Sequence, residues 1–268
     1  MSTEAFPPVI LGPSLSDYQS VARPVSVMAK EFANGATSGT HHHAHGQLLY
    51  CVSGVMEVLT DHAVWLVPPQ RAVWLPSNVA HEMRCRGHVS LRTIYVRPDA
   101  ISQSFPIDPA IVQVSPLLRE LILRAVAMPP LYDEAGRDGQ IVELMLQEFA
   151  WERASLLMIH QPRDKRLAPI YQHLLRNPHS NLTIENWAGK LDVSSRTLAR
   201  LFHSETGTSF IRWRQQIRLL AALPRLAIGD SVIDVAMAVG YDTPSAFAAM
   251  FRKFTGTTPA RYFSQAPC

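Results

Sequence analysis

The C-terminal hundred residues contain one pattern of apolar and polar positions twice. Residues 184–207 carry the first copy and residues 232–256 carry the second. Each copy has a short apolar segment, a three-residue turn and a second apolar-periodic segment that starts at Ser194 or Thr243. In both copies, thirteen positions separate that hydroxyl residue from a closing glycine. The pattern predicts two helix-turn-helix pairs that share a capping hydroxyl and a closing glycine.

The physical chemistry of helices explains the residues that the copies share. A serine or threonine hydroxyl accepts a free backbone N–H at the start of a helix. Apolar residues four positions apart give each second helix one buried stripe, formed by Leu198 with Phe202 and by Phe247 with Phe251. The closing residues Gly207 and Gly256 suit the left-handed conformation that ends a helix. Gly240 is expected to be left-handed within the second turn, and Asp192 takes its place less comfortably in the first.

The opposite face of each second helix is left for a partner. In the first copy this face carries Ser195, Arg196, Ala199, Arg200 and His203. In the second copy it carries Ser245, Ala248, Ala249 and Arg252, next to Lys253. An isolated helix pair is often only a packing unit, whereas two matched copies favour DNA binding.

The segment between the copies, 210–227, is predicted to be one helix. It combines apolar residues with Arg212, Arg214 and Arg218. Its eighteen positions span about 27 Å at about 1.5 Å per residue, and Pro224 predicts a kink or an early end. Successive major-groove faces lie about 34 Å apart, so this spacer is suited to presenting two recognition helices to adjacent grooves.

Residues 240–262 carry a motif that resembles the signature of the AraC/XylS family of transcription regulators. The matching positions are Gly240, Tyr241, Pro244, Ser245, Phe247, Phe251, Arg252, Gly256, Pro259 and Tyr262. The resemblance extends over about 166–263 and implies a seven-helix DNA-binding domain whose first helix is 167–176. It places the two helix-turn-helix units at about 183–204 and 231–254. The base-contacting positions that it implies are Arg196, Ala199 and Arg200 in the first unit and Ser245, Ala248 and Ala249 in the second.

Charge separates the two halves of the chain. From Arg166 onward there are 12 Lys and Arg against 6 Asp and Glu, a net charge of +6, whereas residues 1–165 have a net charge of −3. The basic half is the one with the paired helices, as phosphate binding requires. Cys51, Cys85 and Cys268 form neither a disulfide framework nor a metal-type spacing. The start of the chain resembles no secretory signal and no segment is apolar enough for a membrane span, so a cytoplasmic protein is expected.

The N-terminal half is predicted to be mostly β. Short β-branched and aromatic runs lie between about Val25 and Val96, which favours a sandwich or barrel over about 25–105. Two helices are expected at about 115–157, the first from Ser115 to about Met128 and the second from about Asp138 to Leu156. The apolar stripe of the second has two interpretations, packing on the barrel or pairing with a second copy. The polar segment 161–165 is the best linker, so the predicted domains are 1–162 and 163–268.

A group of histidines in this half resembles the first motif of the cupin superfamily. The motif positions are Gly35, His41, His43, Gln47 and Gly54, with Gln in place of the usual Glu. The second motif is echoed by Pro76, Asn78 and His81, with Asn in place of the usual Gly. A barrel interior would bring His81 opposite His41 and His43, and three imidazoles with the Gln47 amide oxygen suit a divalent transition metal. The alternatives are a metal-free effector pocket lined by these residues with Trp65 and Trp74, or plain polar histidines, since His42 and His45 crowd the same loop.

The sequence as a whole predicts an α+β multidomain fold: a cupin-like β-barrel with a helical pair, then an all-α domain with two helix-turn-helix motifs. The resulting hypothesis is a non-enzymatic transcription factor, either an activator or a repressor, that senses a small-molecule effector. Its partners are double-stranded DNA and RNA polymerase, with a homodimer left open and no membrane. Groove contacts are assigned to Arg196 and Arg200, and phosphate contacts to Arg212, Arg214, Arg252 and Lys253. A cupin-type metal-dependent enzyme with a DNA-binding tail and a non-sensing architectural DNA binder are the competing interpretations.

Overall fold

The computed structural model describes residues 20–152 and 157–264, which form two compact units. The first unit comprises 20–60 and 67–152, and the second comprises 61–66 and 157–264. The second unit thus takes in a short segment from the middle of the N-terminal half. Residues 1–5, Leu156 and Cys268, which the sequence analysis used, lie outside the described residues.

Eight strands are found in the described residues. They are β1 (Val25–Phe32), β2 (Gly46–Thr60), β3 (Ala63–Val67), β4 (Arg71–Leu75), β5 (His81–Val96), β6 (Ala110–Gln113), β7 (Ala150–Trp151) and β8 (Met158–His160). In the first unit, antiparallel strands follow the order β1-β5-β2-β4-β6-β7. Strand β2 is a single long strand, and its register against β5 shifts around Ser53. Gly54 allows this shift, because it has φ +78° and a Cβ there would lie 2.3 Å from the His88 carbonyl oxygen.

Two helices follow the strands of the first unit. The first, α1 (Pro116–Val126), begins where predicted, because the Ser115 side chain accepts a hydrogen bond from the Leu118 N–H. The second, α2 (Arg137–Gln147), ends well before the predicted Leu156, so that prediction was wrong. The chain turns after Gln147, and Trp151 lies in strand β7. The ring of Trp151 packs on Trp74 and Phe105.

The apolar stripe of α2 faces the core of its own unit. Met145 is fully buried, and Phe149, just after the helix, is buried in the same cluster with residues of α1 and β4. Packing on the sheet-rich body is therefore the interpretation that the structure supports for these two residues. Leu144 stays 40% exposed.

The second unit contains seven helices within 157–264. They are α3 (Ala168–Arg176), α4 (Ile184–Lys190), α5 (Ser195–Thr206), α6 (Phe210–Ala227), α7 (Val232–Ala238), α8 (Pro244–Thr255) and α9 (Pro259–Ser264). Helices α4 and α5 form the first predicted pair, and α7 and α8 form the second. This number of helices confirms the expectation drawn from the family resemblance.

The predicted helix caps and closing glycines of both pairs are confirmed. The Ser194 and Thr243 hydroxyls accept hydrogen bonds from the N–H groups of the third helical residues, and Gly207 and Gly256 follow the helices in the left-handed conformation. The turn residues also behave as expected, because φ is +52° at Asp192 and +83° at Gly240. The helix predicted over 210–227 is confirmed as α6; of the two outcomes expected at Pro224, the early end was wrong, since α6 continues to Ala227.

A two-stranded ribbon packs against the helices of the second unit. Strand β8 pairs with Ala63–Trp65 of β3, so part of an N-terminal strand is built into the helical unit. The Trp213 indole N–H donates to the His160 carbonyl oxygen at 3.2 Å, and the Gln216 amide donates to the Met158 carbonyl oxygen at 3.0 Å. The segment predicted as a linker is held as well, since the Arg163 and Asp164 N–H groups donate to the Glu205 carboxylate.

Two further expectations concern cysteines and membranes. Cys51 and Cys85 are buried free thiols. Among the described residues, no helix has the length and apolar character that a membrane crossing needs.

The caps provide a direct test of the helix boundaries. Replacing Ser194 with Ala removes the acceptor for the Thr197 N–H and should lower the unfolding free energy by about 1 kcal/mol, whereas Ser194→Gly should cost only a few tenths. Urea denaturation followed by far-UV circular dichroism, which reports mainly on the helices, measures both. Equal losses in the two variants would contradict the assigned cap.

Candidate functional site

The first candidate site is the exposed face of α5. Leu198 and Phe202 are buried on one side of this helix, where the Phe202 ring lies 5.0 Å from Trp213 and 5.3 Å from Phe210. Because these two residues fix the rotation of the helix, the opposite side faces solvent. It presents exposed Arg196, Ala199, Arg200 and His203, with Ser195 half-buried beside the cap.

The corresponding face of α8 is built in the same way but from smaller side chains. Phe247 and Phe251 are fully buried, and the Phe251 ring packs on Tyr262 at 5.5 Å. The outward side carries Ser245, Ala248, Ala249, Arg252 and Lys253, all exposed except half-buried Ala248. The two faces therefore differ in reach and charge, although their buried sides match.

The arginines at these faces are available to an external anion. Within 20–152 and 157–264, no ion pair includes Arg196, Arg200, Arg212 or Arg252. Arg214 differs from them, because its guanidinium donates to the Leu182 carbonyl oxygen at 3.0 Å and lies 5.4 Å from the Phe210 ring. Burial lowers the pKa of Arg214, with Arg218 adding repulsion.

The second candidate site is a cluster of three imidazoles in the first unit. His41 and His81 face each other across an antiparallel bridge, with backbone hydrogen bonds of 2.9 and 2.8 Å. Their ring centroids lie 4.4 Å apart. The centroid of the His43 ring lies 4.8 Å from that of His41 and 5.4 Å from that of His81. One nitrogen of each ring lies within 4.8 Å of the others. The structure thus brings the three predicted histidines together.

Backbone carbonyls orient two of these rings. The Nδ1 atom of His41 lies 3.0 Å from the Gly39 carbonyl oxygen, and that of His81 lies 2.9 Å from the Val79 carbonyl oxygen. A carbonyl only accepts, so each Nδ1 carries the proton and each Nε2 keeps its lone pair. Both Nε2 atoms are buried without a hydrogen-bond partner in the described residues. Lone pairs held in this way are suited to a metal ion or to a ligand that donates hydrogen bonds.

Gln47 and Asn78 complete the neighbourhood of the cluster. Gln47 is 2% exposed, its amide donates to the Tyr95 hydroxyl at 3.5 Å, and its Oε1 atom is buried without a partner. The Tyr95 ring lies 5.4 Å from His43. Asn78 has φ +64°, the left-handed conformation that glycine usually takes, and its N–H donates to the His43 carbonyl oxygen at 2.7 Å. This bond anchors His43 beside the loop.

The structure does not bring Trp74, one of the two predicted tryptophans, to the cluster. Trp74 lies directly opposite Leu48 on the neighbouring strand, so it occupies the other face of the sheet from Gln47. There its indole N–H donates to the Pro106 carbonyl oxygen and its ring packs on Phe105 and Trp151. Trp65 is buried in β3, within the segment that belongs to the second unit.

Comparisons with known proteins find a match in each half of the chain. A helix-turn-helix domain is matched over residues 187–265, and a cupin domain over residues 30–97. The HTH-type transcriptional regulator NimR of Escherichia coli K12 is 33% identical over 229 residues, which cover 85% of this chain and 83% of NimR. This protein belongs to the AraC family of transcriptional regulators.

Other proteins match with lower coverage or identity. The arabinose operon regulatory protein of Escherichia coli K12 is 26% identical over 204 residues, 74% of this chain and 62% of that protein. Among solved structures, the DNA-binding domain of AdpA in complex with a target DNA is 32% identical over 38% of this chain and 92% of that one, with a TM-score of 0.36.

The buried histidines of this AraC-family protein should make its stability depend on pH. Burial, followed by repulsion from His41, lowers the pKa of His43 to about 4; for His81 burial also dominates and the pKa is about 4. The unfolded value is 6.5, so the unfolded chain binds more protons between pH 6.5 and 4. The unfolding free energy should be level with respect to these groups above pH 6.5 and fall as the pH drops through that window.

Urea midpoints of metal-free protein in a chelator, measured across that range, test this expectation. The double variant His43→Gln, His81→Gln cannot take up these protons, so its stability should fall less steeply with decreasing pH. Parallel pH profiles for the wild type and the variant would contradict the assignment.

Proposed function

We propose that this protein is a sequence-specific transcription factor whose first helix-turn-helix unit reads bases through Arg196 and Arg200. The observation that carries the proposal is the α5 face, a capped, rigid helix with two exposed arginines that form no ion pair in the described residues. An arginine fork can bond O6 and N7 of guanine together. Ser195, Ala199 and His203 border the same face and complete the contact set.

The second helix-turn-helix pair, α7 with α8, is assigned an anchoring role. Ser245, Ala248 and Ala249 offer little reach for hydrogen bonds to base edges, whereas Arg252 and Lys253 can pair with phosphates. Arg212 at the start of α6 is exposed and is assigned the same task. Arg214 has a smaller part, because its guanidinium is already bonded to Leu182.

The first unit is proposed to sense a small-molecule effector at the imidazole cluster of His41, His43 and His81, with Gln47. An effector changes DNA binding only by binding two arrangements of the protein with different affinity. Sensing is preferred to catalysis because Gln47 stands where a carboxylate would supply a ligand charge and a general base, and because the named relatives are regulators. We place the sensing and dimerisation domain at 1–162 and the DNA-binding domain at 163–268, acting in the cytoplasm with RNA polymerase as a further partner.

A divalent transition metal is the second candidate occupant of the cluster. It is favoured by the unpartnered Nε2 atoms of His41 and His81 and by the carbonyl bonds that fix their Nδ1 protons. Imidazole suits Zn²⁺, Ni²⁺, Cu²⁺ and Fe²⁺. When bound, the ion would supply a Lewis-acidic point at which an anionic or carbonyl effector attaches, and the residues named would hold it.

The reading assignment is tested by Arg200→Ala, with Arg252→Ala as the matched comparison. Binding isotherms use the full chain and a duplex that the wild type selects from a randomised library. Arg200→Ala should cost about 1–3 kcal/mol and relax the preference at one base pair, whereas Arg252→Ala should weaken all sequences alike and reduce the salt slope by about 1. An isotherm unchanged by Arg200→Ala would remove Arg200 from the reading set.

The metal candidate is tested with Co²⁺ as a spectroscopic probe. If the cluster holds a metal, the chelator-treated full chain should bind one ion, and Ala at His41, His43 or His81 should weaken binding by about 10-fold or more. His88→Ala is the control, because that side chain is 68% exposed in the same unit. Binding that survives all three cluster substitutions, or that His88→Ala reduces equally, would exclude the metal and leave the hydrogen-bonded effector.

A further inference from the structure

Arg218 is a buried arginine in the middle of α6, the helix that belongs to neither helix-turn-helix pair. It is 6% exposed. Its Nε–H donates to the Pro178 carbonyl oxygen at 3.0 Å, and Nη2 donates to the Ser180 carbonyl oxygen at 3.2 Å and to Asn181 Oδ1 at 2.7 Å. In the described part of the chain, no carboxylate pairs with it. All three of these hydrogen bonds from the guanidinium therefore go to one loop, residues 178–181.

That loop leads directly into the first pair. Residues 178–181 end just before Thr183, whose hydroxyl caps α4 and accepts from the Asn186 N–H. A loop tied to α6 by three hydrogen bonds from one rigid fork fixes where α4 starts. Since α4 and α5 pack on each other, it also helps to set the direction of the first recognition helix.

The other side of Arg218 faces the turn of the second pair. Its Cζ atom lies 5.1 Å from the centroid of the Tyr241 ring, within the range of a cation–π contact. A Cβ on the preceding Gly240 would lie 2.7 Å from the His179 Cα atom and 2.9 Å from Arg218 Nη2. The turn between α7 and α8 therefore packs against the loop before α4, with the guanidinium in contact with both.

We propose that Arg218 is a positioning residue that fixes the orientation of one recognition helix relative to the other and thereby sets the operator spacing that the protein accepts. The inference rests on the proposed function, since it requires both pairs to contact one duplex. It also requires the second pair to prefer some bases, through the Ser245 hydroxyl and the methyl groups of Ala248 and Ala249, because phosphate contacts alone would follow any inserted base pair. Helix α6 fixes the separation of the pairs, and Arg218 with Tyr241 fixes how the second turn sits on the first loop. One added base pair shifts the second element by about a tenth of a helical turn, which a rigid reader cannot follow.

The test measures spacing preference with the full chain. The probes are the duplex that the wild type selects, the same duplex with one base pair inserted between the two footprinted elements, and the same duplex with the second element scrambled. The wild type should bind the inserted duplex at least about 10-fold more weakly than the selected one. Arg218→Met should reduce that ratio to below about 3-fold, while its affinity for the one-element duplex stays within about 3-fold of the wild type.

Matched variants separate positioning from general loss of fold. Tyr241→Phe keeps the ring and should keep the wild-type ratio, whereas Tyr241→Leu should lower it. Arg218→Lys keeps the charge without the planar fork and should restore the ratio only in part. Arg225→Met is the control on the same helix, because Arg225 is 41% exposed and pairs with Asp230, and it should leave the ratio unchanged.

Thermal melting of each variant identifies those that remain folded in the assay, and Arg218→Lys with Tyr241→Leu carry the test if Arg218→Met does not. Folded variants that keep the wild-type ratio would overturn the inference. The same holds for variants that lose affinity for the one-element duplex as much as for the selected one. A wild type that selects no duplex would instead refute the proposed function and the inference with it, so the two failures are distinguishable.

Discussion

The apolar surface of one long helix, α6, is the constraint on which the DNA-binding unit depends. Trp213 in its first half is fully buried between Phe202 of the first recognition helix and Tyr171 of α3. The helix also packs against α7 and α9, and Leu219 and Leu223 in its second half are fully buried. Burial of such side chains is the main favourable term in folding. Because both helix-turn-helix pairs share this surface, neither can rotate without disturbing the core of the other.

Features that depend on a few neighbouring residues could be predicted from the sequence. A hydroxyl that caps a helix, a glycine that closes it and a left-handed Asp192 in a turn all act within one helical turn of the chain, so the two copies reveal them. The imidazole cluster was also predictable, since residues two apart on one strand share a face and the cupin-like second motif places His81 opposite them.

Features that depend on distant partners could not be predicted. The helical period continues past Gln147, but Phe149 and Trp151 gain more by packing in an aromatic core made by Trp74 and Phe105. Strand alternation defines two faces of the sheet without saying which of them meets the imidazoles. The sequence therefore places Trp74 in the effector pocket, whereas its register with Leu48 places it on the opposite face of the sheet. Likewise, Arg212, Arg214 and Arg218 of α6 look alike in sequence. Only the carbonyls of residues 178–182, some forty positions away, distinguish buried Arg218 from exposed Arg212.

The two recognition helices differ in their exposed faces, and this difference makes the position that Arg218 fixes important for specificity. The first face can identify bases through Arg196 and Arg200, whereas alanines dominate the second, which contributes a weaker base preference together with its contacts to the backbone. A pair with a weak base preference adds specificity only when its attachment to the first pair holds it at a fixed distance. The proposed Arg218 contacts lie at that attachment and are buried within the same unit. Specificity in such a reader therefore depends on the rigidity of its connection as much as on the side chains that touch DNA.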